Sequence, residues 1–375
     1  MKQSWEIKKL GEVCSITMGQ SPSSDTYNDS EGLPFFQGNA DFGKIHPSIR
    51  VYCNAPIRIA DVDDILISVR APIGAINIAN CKCCIGRGLA SIRNNAEVAN
   101  EYIYHALIAN KEKLIAQGTG STFKSIGKEA LKELSIPVPP REEQERIVEE
   151  LDCLSGVIEK KREQLRELDA LAQSIFYTMF GDPITNEKGW EVKKMGEVCK
   201  TTSGGTPSKG HNEYYEGGTI PWLRSGEVNK MYIYDTELFI TEEGLQNSSA
   251  KWFPENTVVV AMYGATVGQV GILKNKMTTN QAICGIFPNE YFIPTYLYHF
   301  LLSKKEEYLK LATGGAQPNI SQNIVRDTLV CCPPIATQQE FADKIEAIEK
   351  QKALIKQSIT QTEELFNARM DYYFN

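Results

Sequence analysis

The 375-residue sequence has no long apolar stretch. It contains no run of about eighteen apolar residues, the length that indicates a membrane-spanning helix. The N-terminal segment MKQSWEIKK also lacks the apolar core of a secretory signal. Hydrophobic residues make up 42% of the chain and charged residues 23%, which is typical of a folded globular protein. The composition therefore predicts a cytoplasmic globular protein that is neither secreted nor inserted into a membrane.

Recognisable catalytic motifs are missing as well. The segments TMGQSPSS and TSGGTPSK resemble pieces of a phosphate-binding loop, but the GxxxxGK[ST] spacing is absent. The sequence has no GxGxxG after a predicted strand, no HExxH and no GxSxG. The four histidines (46, 105, 211 and 299) do not cluster, and His105 and His299 fall in YxYH segments where packing is expected. No catalytic centre is therefore predicted in this chain.

Cysteines are present but lack the spacing of a metal site. CKCC at 81–84 and the pair Cys331-Cys332 are not accompanied by a second CxxC or by an HxxxH at zinc spacing. Buried, reduced thiols are the usual state of such cysteines in the cytosol. We therefore expect neither a structural metal nor a disulfide framework.

The formal charge of −7 is concentrated in two segments. Residues 141–180 carry six basic and ten acidic side chains, and residues 335–375 carry five and seven. These segments contribute −4 and −2, which leaves −1 for the remainder of the chain. Net charge therefore does not exclude a DNA-binding surface on the rest of the protein.

The dominant feature that is present is an internal repeat. WEIKKLGEVC begins at Trp5 and WEVKKMGEVC at Trp190, and the YIYH at Tyr102 returns as YLYH at Tyr296. The offset is 185 residues at the tryptophans and 194 further on, so the second copy has about nine additional residues near KGHNEYYEGG. Because solenoid and propeller repeats are only about 20–50 residues long, each copy is predicted to bury a core of its own.

Each copy ends in a long helical pattern after a proline pair (139–140 and 333–334). Apolar residues follow in alternating steps of four and three, the coiled-coil period. The predicted seam, which we also expect to support partner docking, consists of Ile147, Leu151, Leu154, Ile158, Leu165, Leu168 and Ile175 in the first copy and Phe341, Ile345, Ile348, Ile355, Ile359 and Phe366 in the second.

The length of these segments favours a pair of helices over two separate surface helices. A helix of ordinary length with one apolar stripe usually packs on its own domain. About 40 residues, however, span roughly 60 Å, more than the width of a domain of this size. An antiparallel pair is therefore predicted, holding the globular parts at opposite ends. Such pairing would also accommodate Lys161 and Lys352, which interrupt the two apolar stripes.

The globular parts are predicted to be mixed α/β (α+β) domains. In each copy an apolar, strand-like run precedes the YxYH helix, while the loops differ in composition. By alignment, SVRAP at 68–72 corresponds to MYGAT at 262–266, and IGRG at 85–88 to TNQA at 279–282. One scaffold with two sets of loop tips is expected of a protein that recognises two different targets.

The order of these segments resembles the DNA-specificity subunit of type I restriction-modification systems over essentially the whole chain. The matching text includes SVRAPIG, CIGRGLASI, IPVPPREEQERIV, MFGDP, TSGGTPS, IPWLRSGEVN, GATVG and TNQAI. The resemblance implies a target-recognition domain at 1–140, a spacer helix at 141–181, a second target-recognition domain at 186–334 and a second spacer helix at 335–375, related by a pseudo-two-fold repeat.

The resemblance also implies function and partners. Each recognition domain would read one part of a bipartite, asymmetric target in double-stranded DNA, and the helices would dock two modification subunits. Those methyltransferase partners would use S-adenosylmethionine to methylate adenine, and restriction subunits would use ATP and Mg²⁺ for translocation and cleavage. The chain itself would be noncatalytic and would bind no cofactor.

Side-chain chemistry indicates which loop residues are candidates for DNA binding. Forked or two-sided donors suit base edges, and lysines suit phosphates. The base-reading candidates are Arg70, Arg87, Arg224 and Gln281, the phosphate candidates are Lys44, Lys124, Lys209 and Lys230, and Tyr263 is a candidate for contact with a thymine methyl or a neighbouring base. The alternative for each is a solvated surface side chain.

Two other functions are compatible with parts of the pattern. A noncatalytic scaffold with two protein-interaction domains on a coiled coil would show no sequence-specific DNA retention. A self-sufficient nuclease or methyltransferase is disfavoured because the sequence has no [ND]PP[YF] tetrapeptide and no phosphate loop.

Overall fold

The computed structural model describes residues 5–118, 125–314 and 318–375. The chain divides into two compact units. Unit 1 comprises the residues up to Arg162 together with Lys356–Asn375, and unit 2 comprises Glu163–Ile355. Both units mix helices with β-sheet, as the sequence predicts. Whether the helices act as domains separate from the globular parts stays a prediction.

Unit 1 contains eleven short strands and four short helices within the part of the chain that is described. The strands are β1 Glu6–Lys9, β2 Cys14–Met18, β3 Tyr27–Asn28, β4 Leu33–Phe36, β5 Tyr52–Cys53, β6 Ile59–Ala60, β7 Ile65–Ser68, β8 Ile76–Ile78, β9 Cys83–Ile85, β10 Leu89–Asn94 and β11 Ser135–Val138. The helices are α1 Leu10–Val13, α2 Asn100–Ala109, α3 Lys111–Ala116 and α4 Lys128–Lys132, with 3₁₀ turns at Ser24–Thr26 and Asn39–Asp41.

The chain then continues into the long helix α5 Arg141–Phe180. Unit 2 likewise contains eleven short strands among its described residues. Its strands are β12 Val192–Lys194, β13 Thr201–Ser203, β14 Ile220–Leu223, β15 Tyr232–Ile233, β16 Phe239–Ile240, β17 Trp252–Phe253, β18 Val258–Ala261, β19 Val270–Leu273, β20 Met277–Thr279, β21 Ile283–Ile286 and β22 Leu329–Cys331. Its helices are α6 Met195–Val198, α7 Glu242–Gln246, α8 Pro294–Ser303, α9 Lys305–Leu311 and α10 Gln322–Asp327, followed by the long α11 Ile335–Phe374, with 3₁₀ turns at Asn212–Tyr214, Ser225–Glu227 and Gly264–Thr266.

The sheets of the two units correspond except at one edge strand each, β3 in unit 1 and β15 in unit 2. Unit 1 has a four-stranded sheet in the order β2-β10-β7-β8, a five-stranded sheet β3-β5-β4-β9-β6 and the pair β1-β11. Unit 2 has a five-stranded sheet β13-β21-β18-β19-β15, a four-stranded sheet β16-β14-β20-β17 and the pair β12-β22. The duplicated sequence therefore folds twice into one scaffold, and the predicted mixed fold with two repeated domains is confirmed.

Each long strand-like run of the sequence is an antiparallel hairpin rather than one strand. β7 pairs with β8 in unit 1, and β18 pairs with β19 in unit 2. A glycine with positive φ lies in each turn, Gly74 at +82° and Gly268 at +77°. Residues with a side chain rarely adopt such angles, so these glycines allow the chain to reverse. The apolar pattern alone predicts one continuous strand at these places.

The ends of α5 and α11 meet in antiparallel fashion within unit 1. Arg369 Nε lies 2.9 Å from Glu150 Oε1, and Arg162 Nη2 lies 2.6 Å from Glu363 Oε1. The partner number falls as the position on α5 rises, which is the signature of antiparallel pairing. Lys161, the interruption of the first stripe, donates to the hydroxyl of Ser358.

Unit 2 contains the other ends of the same helices, also antiparallel. Lys352 Nζ lies 2.7 Å from Asp169 Oδ1, and the rings of Phe180 and Phe341 are 5.3 Å apart. Lys352 also contacts Glu349 at 2.5 Å. Each interrupting lysine is thus accommodated by polar partners, because an ammonium group inside a helix contact needs a hydrogen-bond acceptor.

Both unit cores include residues of both long helices. In unit 1 the buried Ile147 and Leu151 of α5 share a cluster with Met370, Tyr373 and Phe374 of α11. In unit 2 the corresponding cluster joins Ala172, Phe176 and Phe180 of α5 with Phe341, Ile345 and Ile348 of α11. Along the described residues, none of the helices is long and apolar enough to span a bilayer.

Candidate nucleic-acid interface

Four loops of unit 1 come together at one end of its sheets. The Gly86 N–H donates to the Phe36 carbonyl over 2.8 Å, and the Val69 N–H donates to the Gly88 carbonyl over 2.9 Å. The loop after β2 joins them, because the Gly19 N–H donates to the Leu89 carbonyl over 2.9 Å. These bonds bring the loops that carry Arg70 and Arg87 next to each other.

Gly19 permits this close meeting of loops. A Cβ at this position would lie 2.1 Å from the carbonyl oxygen of Gly86, a distance that no side chain tolerates. In unit 2 a Cβ at Gly204 would meet the carbonyl oxygen of Thr279 at the same 2.1 Å. The two glycines are repeat equivalents, so each unit has the same glycine-dependent crossing at its loop cluster.

Arg70 and Arg87 are both exposed. Among the described residues, neither guanidinium group has an ion-pair partner within 4.0 Å. The Arg87 backbone N–H donates to Ser21 Oγ over 3.2 Å, which ties its loop to the loop after β2. Two uncommitted guanidinium groups on adjoining loops can donate to an external acceptor, such as a base edge or a phosphate.

The other unit 1 candidates are not part of this cluster. Lys44 Nζ lies 2.7 Å from Glu159 Oε2 on α5, so its ammonium group has a carboxylate partner within the chain. Lys124 lies outside the described residues. Sequence patterns could not indicate the Lys44 contact, because the two residues are 115 positions apart.

The loops of unit 2 meet in the same way. The Asn280 N–H donates to the Leu223 carbonyl over 2.9 Å, and the Met262 N–H donates to the Ala282 carbonyl over 2.7 Å. Arg224, Tyr263 and Gln281 each lie one residue from one of these bonding groups. The structure therefore brings the three candidates of the second copy onto adjoining loops.

Their side chains differ in availability. Arg224 contacts Glu227 at 3.2 Å and Glu237 at 2.6 Å, so its guanidinium group is shared between two carboxylates. Tyr263 is 41% exposed. Gln281 is exposed, and its Oε1 accepts a hydrogen bond from the hydroxyl of Thr206. The amide of Gln281 is thus oriented by a neighbour but still faces outward.

The alignment of SVRAP (68–72) with MYGAT (262–266), at the ends of β7 and β18, is one residue out of register. That alignment places Arg70 opposite Gly264. In the structure Arg70 bridges to Ser125 and Tyr263 bridges to Asn319, so the position of Arg70 in unit 1 is held by Tyr263 in unit 2. The turn after Tyr263 absorbs the additional residue.

The lysines of unit 2 remain exposed. Lys209 and Lys230 have no ion-pair partner among the described residues. Lys230 is the counterpart of Lys44, since the carbonyl of the next residue accepts from the equivalent strand in each unit. The Ile45 carbonyl accepts from the Ile78 N–H, and the Met231 carbonyl accepts from the Ile272 N–H. The matched lysine is paired in one unit and unpaired in the other.

Two further residue groups join the loop clusters without having been predicted. Gln37 is exposed and occupies the position of Arg224, a match already visible in the alignment of LPFFQGN with IPWLRSG. In unit 2 the loop 247–251 packs against Gly205, whose Cβ would lie 2.2 Å from Ser249 and Ala250. Lys251 of this loop donates to Thr202 Oγ1 over 2.8 Å.

The predicted seam residues lie inside the units. All thirteen are buried or half-buried, and the fully buried ones include Ile147, Leu151, Phe341 and Ile345. An external partner would therefore meet other residues of the helices. Leu171 is 48% exposed and Leu365 is 46% exposed, and the two are repeat equivalents at an offset of 194.

A buried glutamine fixes the start of each long helix to its own unit. Gln144 accepts from the Ala99 N–H over 2.8 Å and donates to the Pro139 carbonyl over 2.8 Å. Gln338 accepts from the Ile293 N–H over 2.8 Å and donates to the Pro333 carbonyl over 2.8 Å. Sequence reasoning missed this role, although EEQ (142–144) and ATQ (336–338) stand at matched positions after the proline pairs.

The histidines of the YxYH helices pack against the long helices, as predicted. His105 Nε2 lies 2.9 Å from Asp152 Oδ1, and burial lowers the pKa of His105 while Asp152 opposes that shift. His299 stacks on Phe176 at 6.1 Å. Burial, together with the nearby charge of Lys352, lowers the pKa of His299 to about 4, and Asp169 opposes both effects. Neither imidazole lies on the loop clusters.

Within residues 5–118, 125–314 and 318–375, no group of three His, Cys, Asp or Glu side chains is placed to hold a metal ion. The cysteines are free, and burial raises the pKa of Cys14, Cys83, Cys199 and Cys284 to about 12. Thiols with such pKa values stay protonated and are poor nucleophiles.

Known proteins share both the sequence pattern and the fold. A family model for the type I restriction modification DNA specificity domain matches residues 2–169 and 187–364. A Methanocaldococcus jannaschii protein named "Putative type I restriction enzyme MjaX specificity subunit" is 44% identical over 177 residues, which is 46% of this chain and 42% of that protein. The chain thus aligns with less than half of this relative.

Other relatives match over more of their length. The type I restriction enzyme MjaIX specificity subunit of the same organism is 26% identical, covering 92% of this chain and 86% of that protein. The Escherichia coli EcoR124I/EcoR124II specificity subunit is 28% identical, covering 64% of this chain and 62% of that protein. All three are named as specificity subunits, in line with the expectation of a component that supplies no catalytic centre.

A solved structure has the same fold. The type I restriction-modification S subunit from M. genitalium has a TM-score of 0.59 and 15% identity, and the match covers 99% of this chain and 96% of that one. A chain from a study of complex assembly in the type I R-M system has a TM-score of 0.65 and 19% identity over 98% of this chain and 96% of that one. Since the family model matches both copies and most of the sequence, the chain belongs to the type I restriction-modification DNA specificity subunit family.

Proposed function

We propose that the chain recognises a bipartite, asymmetric target in double-stranded DNA, with one part read by each unit. The observation that carries this proposal is that both units assemble the same loop crossing but present different side chains on it. Arg70 and Arg87 stand in unit 1 where Tyr263 and Gln281 stand in unit 2. A scaffold that only braced partners would have no need of two different sets of exposed hydrogen-bonding side chains.

The loop residues divide by chemistry into two roles. Arg70, Arg87 and Gln281 contact base edges, because their planar groups offer two hydrogen-bonding atoms at once. Tyr263 packs against a base or a thymine methyl. Lys209, Lys230 and Lys124 contact phosphates, which position the protein without specifying sequence. Lys44 contacts a phosphate, and Arg224 a base edge, only if DNA replaces the carboxylate partners that each has within the chain.

The recognition test uses Arg70→Ala, with Lys209→Ala as the control. We expect Arg70→Ala to relax preference at defined bases of one part of the target, at a cost of about 1–3 kcal/mol in discrimination. Lys209→Ala should weaken binding to all sequences and reduce the slope of log affinity against log salt concentration by about 1. A uniform loss of affinity for Arg70→Ala would show a phosphate contact instead.

The long helices set the unread spacer between the two parts of the target. Four residues inserted near Lys160, with four more opposite them near Ser358, lengthen the helix pair by about 6 Å, close to two base pairs. We expect methylation mapping to report a longer spacer with both flanking sequences unchanged. Lys160→Ala without an insertion is the control, and an unchanged spacer in the insertion variant would contradict the proposal.

The same helices dock two modification subunits, and restriction subunits join the complex. Leu171 and Leu365 support this stoichiometry, because repeat-related exposed leucines offer the same contact twice. The methyltransferase partners bring S-adenosylmethionine, and the restriction subunits use ATP and Mg²⁺, while this chain supplies target choice and no cofactor. Because it acts on chromosomal DNA, we expect it in the cytoplasm of a prokaryotic cell.

The docking test measures the mass of the assembled complex. Leu171→Glu and Leu365→Glu are each expected to reduce the number of bound modification subunits from two to one, and the double variant to leave none. Leu354→Glu is the control, since Leu354 is 67% exposed but its repeat equivalent is Lys160. Two bound subunits in the double variant would place the docking surface elsewhere.

A protein-binding scaffold remains the second hypothesis. Its two units and antiparallel helices would serve equally well to hold two proteins. It predicts that the chain, combined with its modification partner, retains no DNA in a sequence-dependent way. Selection from a randomised duplex library therefore separates the two functions directly.

A further inference from the structure

The loop clusters of the two units can be matched residue by residue through their backbone hydrogen bonds. In unit 1 the Gln20 N–H donates to the Ile85 carbonyl over 3.0 Å. In unit 2 the Gly205 N–H donates to the Thr279 carbonyl over 2.9 Å. In unit 1 the bond joins the loop after β2 to the last residue of β9, and in unit 2 it joins the loop after β13 to the last residue of β20. The two bonds therefore define one common frame.

Within that frame Arg87 and Gln281 occupy the same position. Each stands two residues after the carbonyl that accepts the bond. The residue after each donor is a hydroxyl residue, Ser21 in unit 1 and Thr206 in unit 2. Ser21 Oγ accepts from the Arg87 backbone N–H over 3.2 Å, and the Thr206 hydroxyl donates to Gln281 Oε1. The residue at this position is therefore bonded to a hydroxyl neighbour in both units, through its backbone N–H in unit 1 and through its side-chain amide oxygen in unit 2.

We propose that Arg87 and Gln281 are the matched base-selecting residues of the two units, with Arg87 selecting guanine and Gln281 selecting adenine at equivalent places in the two parts of the target. This assignment rests on the proposed DNA-recognition function. An arginine fork donates to O6 and N7 of guanine, and a glutamine amide accepts from N6 and donates to N7 of adenine. The scaffold fixes where the base is met, and the side chain decides which base is accepted.

The surroundings of the two residues support this pairing over the other candidates. Both are exposed, and the glycine crossing beneath them leaves little room for the loops to shift. The donation from Thr206 to Gln281 Oε1 leaves the Nε2 hydrogens and a second lone pair of Oε1 for an adenine edge. Arg224, by contrast, already shares its guanidinium group between two carboxylates.

The experiment selects bound duplexes from a randomised library, using the full chain assembled with its modification partner. Wild type, Arg87→Gln and Gln281→Arg are compared by sequencing the bound DNA. Arg87→Gln is expected to change one guanine of one target part to adenine. Gln281→Arg is expected to change one adenine of the other part to guanine. Each preference should shift by at least about fivefold, the lower end of what a two-bond base contact contributes.

Two further variants separate base selection from other effects. Lys230→Ala is expected to lower recovery of all sequences while leaving every base preference in place. Thr206→Ala removes the group that orients the Gln281 amide, so it should weaken the adenine preference in one part of the target and leave the other part unchanged. Because these side chains are exposed or half-buried, unfolding temperatures should stay near the wild-type value.

Three outcomes would overturn the assignment. Arg87→Gln could leave all base preferences unchanged, lower recovery uniformly, or alter the same part of the target as Gln281→Arg. If wild type still selects a bipartite sequence in such a case, only the matched-residue inference fails. If wild type selects no sequence at all, the proposed DNA-recognition function fails with it.

Discussion

Unit 1 and unit 2 have the same scaffold, but unit 2 is built from one continuous segment of the chain and unit 1 from two. Unit 2 is a single stretch, Glu163–Ile355, whereas unit 1 joins the residues up to Arg162 with Lys356–Asn375 from the other end of the sequence. Contacts such as Trp5 with Tyr373, whose rings are 6.2 Å apart, therefore close a loop of nearly the whole chain. Such long-range closure costs more chain entropy and slows folding relative to local contacts.

The two units show that the same core can form whichever segment of the chain supplies its last helix. In each unit the start of one long helix and the end of the other supply buried side chains. Met370 and Phe374 of α11 occupy in unit 1 the places of Phe176 and Phe180 of α5 in unit 2. Hydrophobic burial is indifferent to which covalent path brings a side chain to the core, so duplication can reuse one packing scheme with two connectivities.

The largest effect is expected from removal of residues 356–375. Unit 1 would lose the buried Met370, Tyr373 and Phe374, each worth about 2–5 kcal/mol, which together rival the stability of a typical domain. Unit 2 keeps all of its residues. Hydrogen exchange measured by mass spectrometry should show lost protection in β1–β11 and retained protection in β12–β22. Tyr372→Ala, at a 45% exposed position, is the control, and equal protection in both units would break the comparison.

A smaller, pH-dependent effect should distinguish the two buried histidines. The folded-state pKa of His299 is about 4, below the ordinary 6.5, so the unfolded chain binds an additional proton between these pH values. The free energy of unfolding of unit 2 should therefore fall as pH drops from about 6.5 to 4, by on the order of 3 kcal/mol. His299→Gln should flatten this slope. His105→Gln should change the slope of unit 1 less, because Asp152 opposes the lowered pKa of His105 through a hydrogen bond, whereas Lys352 adds to the lowering at His299. Equal slopes from denaturant titrations of both variants would contradict this.

The glutamines at the helix starts should behave alike. Gln144→Leu and Gln338→Leu each leave one buried N–H and buried carbonyls without partners, which costs about 1–3 kcal/mol. Because their bonds match in kind and length, the two losses measured by urea unfolding should agree within about 1 kcal/mol. Gln339→Leu, at an exposed position, serves as the control. A large loss in one unit alone would show that the two helix starts are held differently.

The smallest effects are expected at the helix–helix ion pairs. Glu363→Gln removes a contact to Arg162 whose side chains are 40% and 50% exposed, so unfolding free energy should change by less than about 1 kcal/mol. Asp169 stands at the matched position and contacts Lys352, which is only 13% exposed. Asp169→Asn should therefore lower the free energy of unfolding more than Glu363→Gln does. The reverse order would contradict this prediction.

The helices and the repeat were predictable because their signals are local. The predicted helices 141–181 and 335–375 are observed as Arg141–Phe180 and Ile335–Phe374, and the YxYH helices occur as well. Heptad periodicity is a property of consecutive residues, so it does not depend on how the rest of the chain folds. The two strand-like runs were resolved into hairpins only by turns that periodicity does not register.

The candidate site was predictable in composition but not in arrangement. The loops that carry Arg70, Arg87 and Gln281 do come together, yet the alignment matched Arg70 to Gly264 rather than to Tyr263. It also gave no sign that Lys44 contacts Glu159 or that Arg224 is shared between two carboxylates. These partners are chosen by folding, since an ion pair needs proximity in space and not along the chain. The DNA contacts of all these residues stay predictions.

The amino-acid sequence by itself determined the duplication, the two long helices and the difference in loop chemistry between the copies, because repeats and periodicities are written in neighbouring residues. Only the tertiary structure decided which loops meet, which residues share a position in the two units and which charged groups are already engaged. Those outcomes depend on backbone hydrogen bonds and burial among residues far apart in the chain, and a one-residue difference in a turn is enough to reassign them.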